Sequence, residues 1–182
     1  MSRKPLLGVA AAAALAASLA VARPAQATEV GRSRTFGIGL ELPDPFAIVG
    51  KLFIGRGNAI DFGLGFGGFG YARCRYADGR YHDCAGAGHS LSIHGDYLWQ
   101  DGLVRDPGFG MDWHIGAGLR VIRWDYADYD YVALIVRMPL GLDFTFTKLP
   151  RLEAFAEIAP GLVLIPGLDL DVDVGIGFRI YF

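Results

Sequence analysis

Apolar residues fall at alternate positions over most of this chain. At 170–182, Leu170, Val172, Val174, Ile176, Phe178, Ile180 and Phe182 interleave with Asp171, Asp173, Gly175, Gly177, Arg179 and Tyr181. In an extended strand two such sets point to opposite faces. At 109–121, Phe109, Met111, Trp113, Ile115, Ala117, Leu119 and Val121 alternate with Gly110, Asp112, His114, Gly116, Gly118 and Arg120. The segment 132–146 puts eight apolar residues, Val132 through Phe146, in alternate places. A helix would need spacings of three and four, which are absent. With the period fixed at two, the segments 36–42, 48–54, 60–66, 91–99 and 152–162 follow, giving eight strands. Turn chemistry separates them, as at Pro43-Asp44-Pro45, Arg56-Gly57-Asn58, Asp106-Pro107-Gly108, Lys148-Leu149-Pro150 and Pro166-Gly167. Pro139 and Pro160 each remove a ladder donor, so a bulge or local break is expected at both. Phe69 and Tyr71 are out of phase with Phe66, which predicts a bulge near Gly67-Gly68.

Alternation does not say which face looks inward; volume does. An eight-stranded barrel encloses a lumen just wide enough for side chains to fill. Dozens of Leu, Ile, Val, Phe, Trp and Met cannot fit there, whereas Gly, Ser, Ala and a few charged residues can. The bulky face must then point outward, which is stable in lipid. Strands of roughly 9–13 residues suffice for a tilted crossing, which needs about 9–11, and closure satisfies every edge. The expected fold is therefore all-β: a closed, eight-stranded, antiparallel, up-and-down transmembrane barrel. A soluble barrel with the apolar set inside is the alternative; strands facing water are rarely so rich in Gly.

The first 27 residues belong to a different object. Arg3 and Lys4 precede an apolar run at 6–21, followed by Ala25-Gln26-Ala27. This is the pattern of a secretory signal peptide, with cleavage expected after Ala27 at the Ala25-x-Ala27 site. The barrel domain is accordingly 28–182. Removing the leader takes Arg3, Lys4 and Arg23 and no acid from the 17 basic and 19 acidic residues, so the net charge moves from −2 to −5. A mildly acidic exported chain is a poor nucleic-acid binder, which would need a concentrated basic face. Beyond the leader no apolar run reaches the length of a membrane helix.

The last residues, Gly175-Ile-Gly-Phe-Arg-Ile-Tyr-Phe182, resemble the C-terminal β-signal of bacterial outer-membrane barrels, with Phe178, Ile180 and Phe182 on its apolar face. It departs from the usual pattern at Ile180, where an aromatic is commonest. Together with the leader, the strand count and the size, the chain resembles the small outer-membrane barrels of the OmpA, OmpX and opacity-protein type. The resemblance implies location in the bacterial outer membrane, recognition by the barrel-assembly machinery, contact with outer-membrane lipid and lipopolysaccharide, and a monomer. It implies little about molecular activity.

If both termini are periplasmic, as in that family, the longest outer connection runs from about Arg73 to Gly88 and holds Cys74 and Cys84. In an oxidising compartment a disulfide between them is the natural reading, with metal binding beside His82 or His89 as the alternative. Trp124, Tyr126, Tyr129 and Tyr131 read as an outer aromatic girdle, and Asp125, Asp128 and Asp130 as ordinary loop acids without calcium-loop spacing. Gln100 to Gly108 is long for a periplasmic turn.

The inward set carries the chemistry. Lys51, Asp112, His114, Arg120, Arg137, Asp143, Glu153, Glu157, Asp171, Asp173 and Arg179 are expected to form a lumen charge network. Threading the strands puts Arg120, Arg137, Asp171 and Asp173 in the outer half and Asp143, Glu153, Glu157, His114 and Arg179 in the inner half. Buried charges must be paired or hydrated, so a salt-bridge plug is expected; a narrow gated pore is the alternative. A lipid-modifying enzyme would draw on His89, Ser90, Ser92 and His94, but no catalytic signature is recognisable. No catalytic residue, metal site or cofactor is expected.

Overall fold

The alternating segments form eleven strands among the residues that the computed structural model describes, 29–44, 46–66, 73–75, 81–83, 89–126 and 129–182. They are β1 Phe36–Asp44, β2 Phe46–Phe53, β3 Asn58–Phe66, β4 Arg73–Arg75, β5 Tyr81–Asp83, β6 His89–Asp106, β7 Phe109–Tyr126, β8 Tyr129–Arg137, β9 Leu140–Phe146, β10 Leu149–Ile165 and β11 Asp169–Tyr181. β4 and β5 form a small separate hairpin. The others pair antiparallel around a ring, β7 and β10 each pairing with both β8 and β9, and β11 returns to pair with β1. Because β8 and β9 are two halves of one stave, the ring has eight staves and no free sheet edge along its circumference.

Strict alternation gives the ring two chemically different faces. The outward positions of β11, from Leu170 at 81% exposure to Ile180 at 44%, are open to the surroundings. The inward positions hold fully enclosed polar groups such as Lys51 and Arg179, at 0% and 1%. No helix is long and apolar enough to cross a membrane among the described residues.

Proline shapes one stave as expected and the other differently. Pro139 interrupts the stave, separating β8 from β9. Pro160, in contrast, lies inside an unbroken β10, opposite Val172 of β11. It lies opposite the break between β8 and β9, and the carbonyls of both prolines stay paired: Met138 N donates to Pro160 O at 2.9 Å, and Gly116 N to Pro139 O at 2.8 Å. The two prolines thus meet at one gap rather than making two defects.

Two connections are shorter than the sequence suggests. Gln100 to Asp106 is strand, so β6 and β7 run on as a long hairpin turning at Pro107-Gly108, with a register shift between Gly102 and Val104. Likewise β7 continues to Tyr126 and β8 starts at Tyr129, bringing Asp125 opposite Asp130. The expected leader with Ala25 and Ala27, the expected bulge at Gly67-Gly68, and Cys84, hence the expected Cys74–Cys84 disulfide, lie outside the described residues. So do the side chains of Trp124, Tyr126, Tyr129 and Tyr131.

Glycine lets the seam close. A Cβ on Gly39 of β1 would collide with the Phe178 carbonyl and the Arg179 backbone of β11. Gly39→Val is therefore expected to weaken the ring by about 1–3 kcal/mol, as overpacking does. A lowered urea midpoint of detergent-refolded protein would register it; an unchanged midpoint would contradict so close an approach.

Candidate functional site: the charged ring interior

An interior only as wide as its own side chains leaves a charged group little water, so each must find a partner across the ring. At the end nearer the termini, Arg179 of β11 is the hub. Its Nη1 donates to Glu153 Oε1 at 2.9 Å and its Nη2 to Asp61, while the guanidinium lies 3.8 Å from the Phe155 ring centre. Lys51 Nζ donates to Asp143 Oδ2 at 2.8 Å and stands 3.7 Å from Glu153 Oε2. His114 presents Nδ1 to Asp143 Oδ2 at 2.8 Å and Nε2 to Glu157 Oε2 at 3.2 Å.

Farther along the axis, Arg137 of β8 plays the same part. Its Nη2 donates to Glu157 Oε1 at 2.5 Å and its Nη1 to Asp173 Oδ2 at 3.3 Å, with Nε 3.5 Å from Asp96 Oδ1. Arg120 pairs with Asp173 and lies 3.8 Å from Asp171 Oδ2. Glu157 touches both Arg137 and His114, so the two levels form one continuous network. Apolar groups bracket it: Ile122, Ala133 and Ile135 cluster with Val163 at the far end.

The mouth near the termini is covered by the segment that precedes β1. Glu29 N donates to Pro150 O at 3.1 Å, and Val30 is buried. Gly31, at φ +69°, sits against the Phe53 ring, where a side chain would be strained twice over. Phe53 in turn packs 5.7 Å from Tyr181, whose hydroxyl donates to Glu153 Oε1 at 3.1 Å. Outside the ring, the hydrogen bond from Arg34 holds the exposed Glu29 carboxyl below the usual carboxylate range.

The structure brings together ten of the eleven sequence-derived network residues and sets one apart. Asp112 stands at the rim, paired with the exposed Arg105 of the extended β6–β7 hairpin. Its inward parity is correct, but its position is beyond the enclosed stretch. Four interior groups were missed as network members: Glu41, Asp61, His94 and Asp96, all buried. The signal for them was the same alternation, on β1, β3 and β6. Ser92 Oγ has no hydrogen-bond partner, so Ser92 and His94 do not form a nucleophile–base contact.

Comparison with protein-family models and with curated proteins finds no match. Among solved structures, the chain is similar to the N-terminal β-barrel domain of Pseudomonas aeruginosa OprF, at 15% identity and a TM-score of 0.49, over 81% of this chain and 95% of that one. It is also similar to Neisserial surface protein A, at 11% identity and a TM-score of 0.46, over 81% of this chain and 93% of that one. The ring of eight antiparallel staves is the architecture that the C-terminal residues and the strand count led us to expect.

Proposed function

We propose that this chain is an integral protein of the bacterial outer membrane with a structural or surface-interaction role, its lumen held shut by the interior ion-pair network. The observation that carries the membrane part is the outward face. Thirty-seven large apolar side chains stand exposed on the described residues, far more than the isolated ones a soluble surface carries. Along β11 the outward residues from Leu170 to Phe182 span about 40 Å at about 3.3 Å per residue. At a tilt of about 45° that is about 28 Å along the axis, close to the apolar band of about 25 Å on known barrels. Exposed Tyr97, Trp99 and Trp113 near the end that holds the termini suit the membrane boundary, where aromatic rings collect.

The closed lumen is supported by the size and charge of what fills it. Arg137 and Arg179 each engage carboxylates from more than one stave, so opening a path for ions requires breaking several buried pairs at once. Planar-bilayer recording of the refolded chain tests this. Insertion without reproducible conductance steps is expected, and Arg137→Ala is expected to introduce leak by freeing Glu157 and Asp173. Steady steps from the unaltered chain would replace the closed lumen with a narrow pore. The network explains enclosure; the partner of the outer loops is a matter of surface chemistry, and lipopolysaccharide is the proposed contact.

A further inference from the structure

Charge is distributed unevenly between the two ends of the ring. The end that holds the termini carries the β2–β3, β6–β7 and β9–β10 turns and the segment before β1. The bases there are Arg32, Arg34, Arg56, Arg105, Lys148 and Arg151. The acids of this end, fewer in number, are each occupied locally. Glu29 pairs with Arg34 and lies 3.7 Å from Arg151, and Asp112 pairs with Arg105. Asp101 accepts from Gly102 N at 2.7 Å, and Asp106 from Gly108 N at 3.1 Å. Arg32, Arg56 and Lys148 are exposed, and their side chains make no ion pair or hydrogen bond with any described residue. At the opposite end, the described strand ends of the ring carry Asp44, Asp125, Asp130, Asp169 and Asp171 against one base, Arg123.

Two of the unpaired bases stand where the apolar wall ends. Arg56 follows the exposed Ile54, and its neighbour Gly57 accepts from Gln100 N at 2.9 Å, next to the exposed Trp99. Lys148 precedes the exposed Leu149, in the turn that closes on Phe146. Between these two turns, the β6–β7 hairpin runs on past the end of β3 with Leu103 and Val104 exposed. An apolar shelf rimmed by unpaired bases suits a bilayer interface, where stems and rings stay in hydrocarbon and the charged heads reach phosphate. We propose that this end of the ring binds anionic phospholipid of the phosphatidylglycerol class. Arg56 and Lys148 meet its phosphates on either side of the β6–β7 hairpin, and Arg32 does so on the segment over the mouth. The sign separates this from the charge of the whole chain. After the expected leader the net charge is −5, against −2 for the full sequence, so an anionic surface repels the chain as a whole. Attraction has to come from the basic end.

This inference rests on the membrane reading and deepens it, naming the lipid class and the end of the ring that meets it. Its test is the urea midpoint of the chain folded into vesicles of phosphatidylcholine alone, and of phosphatidylcholine with phosphatidylglycerol of the same acyl chains. At low salt the mixed vesicles are expected to raise the folded-to-unfolded ratio, by up to about fivefold for each exposed base. High salt is expected to remove the gain. Arg56→Gln with Lys148→Gln is expected to remove most of it, and Arg56→Lys with Lys148→Arg to keep it. If the double glutamine variant does not fold, Arg56→Gln and Lys148→Gln are measured singly, each expected to lose part of the gain. Equal midpoints in the two lipids, a gain that survives high salt, or an undiminished gain in the glutamine variants would overturn the proposal. So would the same gain from inorganic phosphate added to phosphatidylcholine vesicles, which assigns the bases to a free anion. Failure of the membrane reading shows separately, as a chain that folds without either vesicle.

Discussion

Arg179→Met is expected to destabilise the folded ring by about 3–5 kcal/mol, the usual cost of leaving buried charges without their partner. Arg179 is 1% exposed and serves Glu153 and Asp61 together, with Asp143 3.8 Å away. Methionine preserves much of the packing against Phe155, so the loss isolates the electrostatic part. The physical reason also sets the sign of a second change. Adding Asp61→Asn and Glu153→Gln to Arg179→Met is expected to recover much of the loss, because an intact buried pair stabilises little beyond a well-packed neutral substitute. Urea unfolding of the detergent-refolded variants, followed by tryptophan fluorescence, measures both steps. A single-variant loss below about 1 kcal/mol, the range of exposed pairs, would mean that water reaches this end of the ring freely.

The second large effect lies on the other face. Ile176 points outward near the middle of β11 at 60% exposure, and Leu168 lies in the turn that precedes the strand at 75%. In phospholipid vesicles, Ile176→Arg is expected to cost about 2–4 kcal/mol, and Leu168→Arg about 0–1 kcal/mol, because the penalty depends on depth in the bilayer. On a water-facing surface both changes would be harmless, since exposed substitutions away from special features usually stay within about 0.5 kcal/mol. Equilibrium unfolding from vesicles separates these outcomes. Equal small effects at the two positions would contradict a lipid-facing band.

The ring was legible in the sequence because its period of two is strict where it matters. From Leu170 to Phe182 a single register shift would exchange Arg179 with an outward residue, so the pattern leaves one solution. The same parity placed Lys51, Asp143, Glu153 and Arg179 inside. What alternation does not encode is height along the axis. Asp112 has inward parity yet ends at the rim on Arg105, because β6 and β7 extend past the enclosed stretch. Glu41, Asp61, His94 and Asp96 sit on shorter or weaker repeats, where Gly replaces an outward apolar residue or a lone acid interrupts a glycine run. Their importance came from the shear of the ring, which sets residues of distant staves side by side. Pro160 is a similar case. Its lost donor is visible in the sequence, but not that it faces the break at Pro139 of the adjacent stave, 21 residues away in the chain.

The measurement closest to the central claim is the dependence of folding on an apolar phase. The urea-unfolded chain is diluted into buffer alone and into buffer with detergent micelles, then followed by circular dichroism, size-exclusion chromatography and unheated gel migration. With micelles, a β-rich monodisperse species that migrates differently before and after boiling is expected; without them, aggregation is expected, as the exposed outward face demands. A monodisperse, β-rich species in buffer alone would contradict the lipid-facing assignment and turn the apolar face inward.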